Sequence, residues 1–462
     1  MLYYFSRCCY LLQLGLPVAD VCFYYGDDAP NLVATRRIGP DSKRLDFGPT
    51  CAHCGRPNPA PVDVLGAGYD YDVVNSDVIE NMMEFRDGRL VLPHGVSYSV
   101  IVLPERSDIP LSVLKKLEKL VLEGAILLGP KPVRDVTLAD YPRCDQQVQA
   151  IADRMWGPGQ VDQTADRSYG KGRVIADRKR LREILQQLGI GPDFTYSSPD
   201  NQADLDYIHR RTPNADIYFV SNTKMEEAVA DCTFRVSGRL PQFWYPDTGK
   251  IEPCNRYTYV SGGTKLRLRL PPAGSVFVVF SGVAPKVAPA PAPEPTVRTV
   301  ATLELTGPWE VRFPPNLGAP PSYIFEKLVS WTAVPDEGIK YFSGTATYLK
   351  EFEVPASMVG DGQRLELDLG QVRNVAEATL NGKPLGIAWK PPYSYDVTGV
   401  VRVGKNELKV EIVNLWANRL VGDAKLPREK RVTRLTQKVK INGPLESGLL
   451  GPVQLRVFKE TK

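Results

Sequence analysis

The sequence predicts a multidomain protein in which an open α/β region precedes all-β units. Three observations predict it. Strand-like and helix-like apolar runs alternate through residues 18–205. Two-residue alternation dominates residues 206–282 and 300–462. Between the β regions, VAPKVAPAPAPEPT at 283–296 can neither form a helix nor pair centrally in a sheet, so residues 283–299 read as an Ala/Pro linker. A chain of 462 residues, 43% hydrophobic and 24% charged, has room for about three such units. Its 40 Pro and 38 Gly supply the turns that many short strands need.

At the N-terminus, Cys8 to Leu16 is a broken apolar stretch without a small-x-small cleavage site, and it reads as mature structure. Val18 to Tyr25, closed by Gly26-Asp27-Asp28, reads as a buried strand. Asp87-Gly88 between two short runs at 84–92 predicts a hairpin. Tyr98 to Leu103 is a strand closed by Pro104. Leu114, Leu117, Leu120 and Val121 recur at helical spacing and Gly124 stops them; Ala125 to Leu128 is then a strand. Strand, helix, strand implies a parallel pair, because the chain must cross over to re-enter the sheet. A helix follows at about 145–156, then a strand at 172–175. A further helix starts near Asp177, presents Leu181, Ile184, Leu185 and Leu188 on one face, and stops at Gly189.

Residues 206–282 predict a small β-sandwich. Asp216 to Ser221 and Val276 to Phe280 are strands, and Lys265 to Leu270 places Leu266, Leu268 and Leu270 on one face. In residues 300–462 three sets alternate: Leu365, Leu367 and Leu369; Leu408, Val410 and Ile412; and Val453, Leu455 and Val457. Asn381-Gly382 marks a hairpin, and no helical period of useful length intervenes. This predicts a jelly roll.

Several function classes are disfavoured. Lys plus Arg is 57 against 53 Asp plus Glu, a net charge of +4, so nucleic acid is not an expected partner. The basic run from Lys425 to Lys440, with Glu429 as its only acid, reads as a solvated loop. No apolar run reaches the roughly 18 residues of a bilayer-crossing helix, and no membrane partner is expected. Only His53, His94 and His209 occur; they read as surface or loop residues, which limits triads and multi-His metal centres. Cys51-Ala-His-Cys54 lacks a second ligand pair at zinc spacing and reads as two incidental thiols.

Two groups of residues could carry chemistry. Asp27-Asp28, Asp70, Asp72 and Asp77 are carboxylates beside strand ends, and two carboxylates are the minimum for glycoside hydrolysis. Turn formation and helix capping compete for the same residues and are the preferred reading. Trp389, Tyr393, Asn414, Trp416 and Asn418 join flat rings to amides, the combination that stacks on a sugar ring and hydrogen-bonds its hydroxyls. Packing in a core or seam competes here. These five are the candidate substrate-binding residues.

YFSRCCYLLQLGLPVADVCFYYGDDAPN at 4–31 resembles the stretch that leaves the catalytic barrel of family 106 glycoside hydrolases, the α-L-rhamnosidase-like enzymes. GYDYDVVNSDVI at 68–79, YSVIVLP at 98–104, IHRRTPNADIYFVSN at 208–222 and SVFVVF at 275–280 continue the resemblance in order. LTGPWEVRF at 305–313, ATLNGKPLGIAWKPPYSYDVTG at 378–399, VNLWANRLVGD at 413–423 and SGLLGPVQL at 447–455 resemble the family's terminal galactose-binding-like domain, which is similar to the sugar-binding domain of family 2 glycosidases. The resemblance implies that residues 18–205 form an amidotransferase-like domain. No Cys stands at a strand-to-helix elbow with a partner His, so that domain's implied role is structural.

The family's (β/α)₈ barrel takes about 250 residues. Its two catalytic carboxylates and a calcium site are expected N-terminal to this region, so no catalytic residue carries over, and residues 1–17 read as the barrel's remnant. The chain is thus expected to be the accessory portion of such an enzyme, acting on α-L-rhamnosyl bonds with a barrel in cis. The implied partner is a rhamnose-containing glycan, with no cofactor in this chain and an extracytoplasmic location. A free-standing carbohydrate-binding or scaffolding protein is the alternative, and an amidotransferase-like enzyme is a third reading.

Overall fold

The computed structural model describes residues 1–27, 65, 67–160, 165–199, 202–285, 296–433 and 443–461. Asp28, Cys51, His53, Cys54, most of the 283–299 linker and the basic run after Thr433 lie outside the described residues. The chain is mixed α/β with β-sheet predominating. It divides into two compact units, one of residues 2–270 and 274–291, the other chiefly of residues 292–462.

In the first unit a six-stranded sheet runs in the order Tyr71–Val74, Val21–Tyr24, Val100–Val102, Ile126–Leu128, Gly172–Ile175, Asp166–Tyr169. All neighbours are parallel except the last pair. All four residues of Val21–Tyr24 are buried, because both sheet faces are covered. Cys22 and Tyr24 face the helices Leu111–Glu123 and Arg143–Trp156. Val21 and Phe23 face Leu181–Gln187. That last helix buries Leu181, Ile184 and Leu185, but it ends before Leu188, which is exposed. Helix Leu111–Glu123 buries Leu114, Leu117, Leu120 and Val121 and stops at Gly124, where a Cβ would come within 2.5 Å of the Phe85 ring. The hairpin joining Glu84–Arg86 to Arg89–Val91 turns on Asp87 and Gly88, both with positive φ.

The same unit holds two antiparallel sheets around one core. The six-stranded sheet contains Leu205–Arg211, Ala215–Asn222 and Ser275–Ser281, and the four-stranded sheet contains Ala228–Phe234 and Gly263–Leu270. Leu266, Leu268 and Leu270 face the core. Strand Phe194–Ser197 pairs with Ala228–Phe234 and so joins this sandwich. Sequence reading leaves Cys8 to Leu16 as a broken apolar stretch; in the structure Leu2–Leu12 is a helix. Its Cys8 and Leu11 cover Ile217, Phe277 and Val279, and Leu16–Pro17 pairs with Leu205–Arg211. The cover explains why Val276–Phe280 is apolar without alternation: both of its faces are buried.

The second unit is a two-sheet antiparallel sandwich. Its four-stranded sheet is Thr296–Glu304, Gln454–Thr461, Gln363–Asp368 and Ser394–Asp396. The facing six-stranded sheet is centred on Thr345–Val354 and Gly404–Val413. All three alternating sets enter the core, beside fully buried Trp309, Trp331 and Tyr348. Asn381 and Gly382 both have positive φ and close the turn between Leu380 and Lys383. One correction concerns helix. Ala417–Ala424 is helical and buries Asn418, Arg419 and Asp423. A helix whose buried face is this polar leaves little apolar period to detect.

Candidate functional site

Strand Gly404–Val413 leaves the sheet at Asn414, and Leu415-Trp416 leads into helix Ala417–Ala424. The Asn414 Nδ2 group donates to Phe342 O at 2.9 Å and Ser447 Oγ at 3.1 Å, and its Oδ1 accepts from Gly344 N at 3.0 Å. Asn418 is 1% exposed. Its Nδ2 donates to Leu445 O and Ser447 Oγ, both at 2.8 Å, and its Oδ1 accepts from Leu445 N at 2.7 Å. Both N–H bonds of each amide are thus engaged. The two amides converge on Ser447 and fasten the segment before Gly448–Gly451.

Tyr393 is buried, donates to Asn374 O at 2.7 Å, and has its phenol pushed up by burial. Trp389 is half-buried, with the Lys390 ammonium 5.8 Å from its ring centre. Trp416 is 61% exposed beside exposed Leu415, and it is the candidate whose ring is open to a ligand.

Sequence reasoning missed Arg419 and Asp423, a buried ion pair at 2.9 Å. Burial alone would raise the Asp423 carboxyl. Hydrogen bonds from Thr433 N at 2.7 Å and Oγ1 at 2.6 Å, with the Arg419 charge, hold it below the usual carboxylate range. The detectable signal was the i,i+4 Arg/Asp spacing in VNLWANRLVGD.

The described carboxylate candidates serve local structure. Asp27 accepts from Ser76 Oγ at 2.5 Å and Tyr24 OH at 2.5 Å. Asp72 accepts from Tyr98 OH at 2.9 Å, Asp77 from Asn81 Nδ2 at 2.8 Å, and Asp70 from Tyr71 N at 2.9 Å. Among the described residues no group of three or more His, Cys, Asp or Glu is placed to hold a metal ion.

His94 is exposed, but His209 overturns the surface reading. It is 1% exposed, with Nδ1 2.9 Å from Asp193 and Nε2 3.0 Å from Asp216. Tyr218 stacks on its ring at 3.8 Å and donates to Asp193 at 2.9 Å. Arg211 and Arg239 pair with Asp216. Arg235 lies 3.4 Å from Asp193 and donates to Asp20 at 2.8 Å, at the foot of the parallel strand Val21–Tyr24. Burial alone would lower the His209 pKa; its two carboxylate neighbours outweigh that and raise it. Once protonated, the ring can donate to a carboxylate from each nitrogen, and every member of the network is engaged structurally.

Residues 59–259 match the family model of glycoside hydrolase 106, alpha-L-rhamnosidase. Residues 321–441 match the glycosyl hydrolase 2 galactose-binding domain-like model. The solved structure of a rhamnosidase from Novosphingobium sp. PP1Y superposes with a TM-score of 0.74 at 32% identity, over 98% of this chain and 40% of that one. A protein of Formosa agariphila, provisionally named a beta-glucuronidase, is 24% identical over 99% of this chain and 57% of its own length. The chain therefore spans less than two thirds of either relative. Fold and likeness together relate the chain to the glycoside hydrolases. Within that class the chain is a relative of the family 106 glycoside hydrolases, α-L-rhamnosidase-like, and it carries a galactose-binding-like domain.

Proposed function

We propose that these residues are the accessory, non-catalytic portion of an α-L-rhamnosidase-like glycoside hydrolase. Hydrolysis of an α-L-rhamnosyl bond would be performed by a barrel in cis, outside the cell membrane, on a rhamnose-containing glycan. The supporting observation is the match to a rhamnosidase over nearly all of this chain but 40% of that protein. Hydrolysis needs two carboxylates flanking one bond, and the described strand-end candidates are instead tied to neighbouring hydroxyls, an amide and the backbone. Any calcium would sit with the barrel. The parallel sheet would be an amidotransferase-like scaffold, and the second unit a jelly roll. Cys22 supports the scaffold reading: it is fully buried inside a strand, and burial pushes its thiol well above the ordinary range, whereas a nucleophile needs the thiolate.

Sequencing the DNA upstream of the Met1 codon tests the reading. An in-frame continuation that encodes a barrel with two carboxylates is the expected result. Hydrolysis of an aryl α-L-rhamnoside by this chain alone, lost in Asp27→Ala or Asp72→Ala, would overturn it.

A further inference from the structure

In the first unit a cleft of about 180 Å³ opens between helix Leu2–Leu12 and the turn at residues 245–251. Sites that enclose a drug-sized molecule run to roughly 300–1,000 Å³, so this one suits a single small ring held on an open surface. Its floor is apolar, built from buried Leu11 and Phe277. Three aromatic rings, Tyr10, Trp244 and Tyr245, line it, and Tyr10 is 65% exposed. The indole plane of Trp244 is anchored by a 3.0 Å hydrogen bond from Nε1 to Gln242.

The charged residues of the cleft's lining, Arg7 and Lys250, are both basic, and the Glu252 carboxylate bonds Lys250 and the Tyr245 hydroxyl from outside it. Arg7 is positioned by backbone: Nη1 donates to Pro246 O at 2.8 Å and to Asp247 O at 3.2 Å. The guanidinium lies against Gly249, where a Cβ would come within 2.9 Å of Nη2 and 3.0 Å of Nε. Gly249 has φ +79°, so both its conformation and the approach of Arg7 require glycine. A cation held by carbonyls keeps its charge available to an anion.

We propose that this cleft binds an acidic pyranose, a uronic-acid residue of a glycan, with its ring against Trp244 and Tyr10 and its carboxylate toward Arg7. Flat aromatic faces suit the C–H face of a sugar ring, the apolar floor excludes water, and Arg7 selects the acid over its neutral analogue. The inference stands on the lining of this cleft and is independent of any hydrolytic activity.

The test is calorimetric titration of the full chain with galacturonate and glucuronate disaccharides and with their methyl esters. The acid of at least one sugar is expected to bind about tenfold or more tighter than its ester, and more weakly as salt is raised. Trp244→Ala and Tyr10→Ala are each expected to weaken binding about tenfold or more; Tyr10 is exposed, so its variant reports on the site without threatening the fold. No binding of any acid, equal affinity for acid and ester, or unchanged affinity in both variants would overturn the proposal.

Discussion

The two units fasten a strand-rich corner with opposite chemistries. In the first, His209, Asp193, Asp216 and Arg235 make a buried knot of charges that also reaches Asp20 of the parallel sheet. In the second, Asn414, Asn418 and Ser447 make the fastening from neutral amides and a hydroxyl. Neutral hydrogen bonds are modest but insensitive to protons. A buried ion network is costly to break and changes with the protonation of each member. The two corners should therefore fail in different ways.

The largest effect is expected from His209→Leu. It removes the ring that bridges Asp193 and Asp216 and leaves each of these two buried carboxylates one partner short. Breaking a buried charge pair on one side costs about 3–5 kcal/mol. Amide exchange followed by mass spectrometry should show the loss in Leu205–Arg211 and Ala215–Asn222, with Gly404–Val413 unaffected. Loss in both units alike would break the comparison.

pH separates the corners without mutation. The raised pKa of His209 means that its contribution is complete below the ordinary histidine value near 6.5 and is lost as pH rises through the raised value. Burial alone would raise the Asp216 pKa, but hydrogen bonds from His209 and Arg211 lower it. Its contribution is present above the ordinary Asp value and lost as pH falls through the lowered one. A tenfold difference in proton affinity between the folded and unfolded chain is worth about 1.4 kcal/mol. As pH rises above the ordinary histidine value, exchange protection of the first unit should fall through the His209 titration while the Asn414–Asn418 corner stays level. Equal alkaline profiles would count against the contrast.

Asn418→Ala comes next. It leaves Leu445 N–H and C=O and the Ser447 hydroxyl short of a partner beside a buried helix. An unsatisfied buried polar group costs about 1–3 kcal/mol. The expected result is a lower unfolding midpoint for the second unit by that amount, with the same slope at every pH above neutrality.

The contrast also shows what the sequence makes legible. Leu266, Leu268 and Leu270, or Leu408, Val410 and Ile412, announce themselves because a strand with one buried face must alternate. The βαβ unit is legible for a similar reason: the apolar face of Leu111–Glu123 and its Gly124 stop are local signals. The corners are not local. Asn418 and Ser447 meet 29 residues apart, and His209 and Asp193 meet 16 apart. A polar residue buried by such a partner looks in sequence like one facing water. That is why His209 reads as surface, and why Asn414 and Asn418 read as ligands for sugar hydroxyls when the protein itself occupies them.

Trp416 carries the smallest stability effect and the sharpest functional one. With the two amides engaged and Tyr393 buried, its ring is the open surface of that corner, 61% exposed beside Leu415. Trp416 is largely exposed, so Trp416→Ala should change stability by what a surface substitution allows, roughly 0.5 kcal/mol. If the corner meets a glycan, titration with a rhamnose-containing oligosaccharide should quench tryptophan fluorescence in the parent chain and not in Trp416→Ala. Asn414→Ala and Asn418→Ala would then weaken binding only as far as they unfold the corner. Unchanged quenching in Trp416→Ala would remove this corner from glycan contact and leave its residues with the fastening role alone.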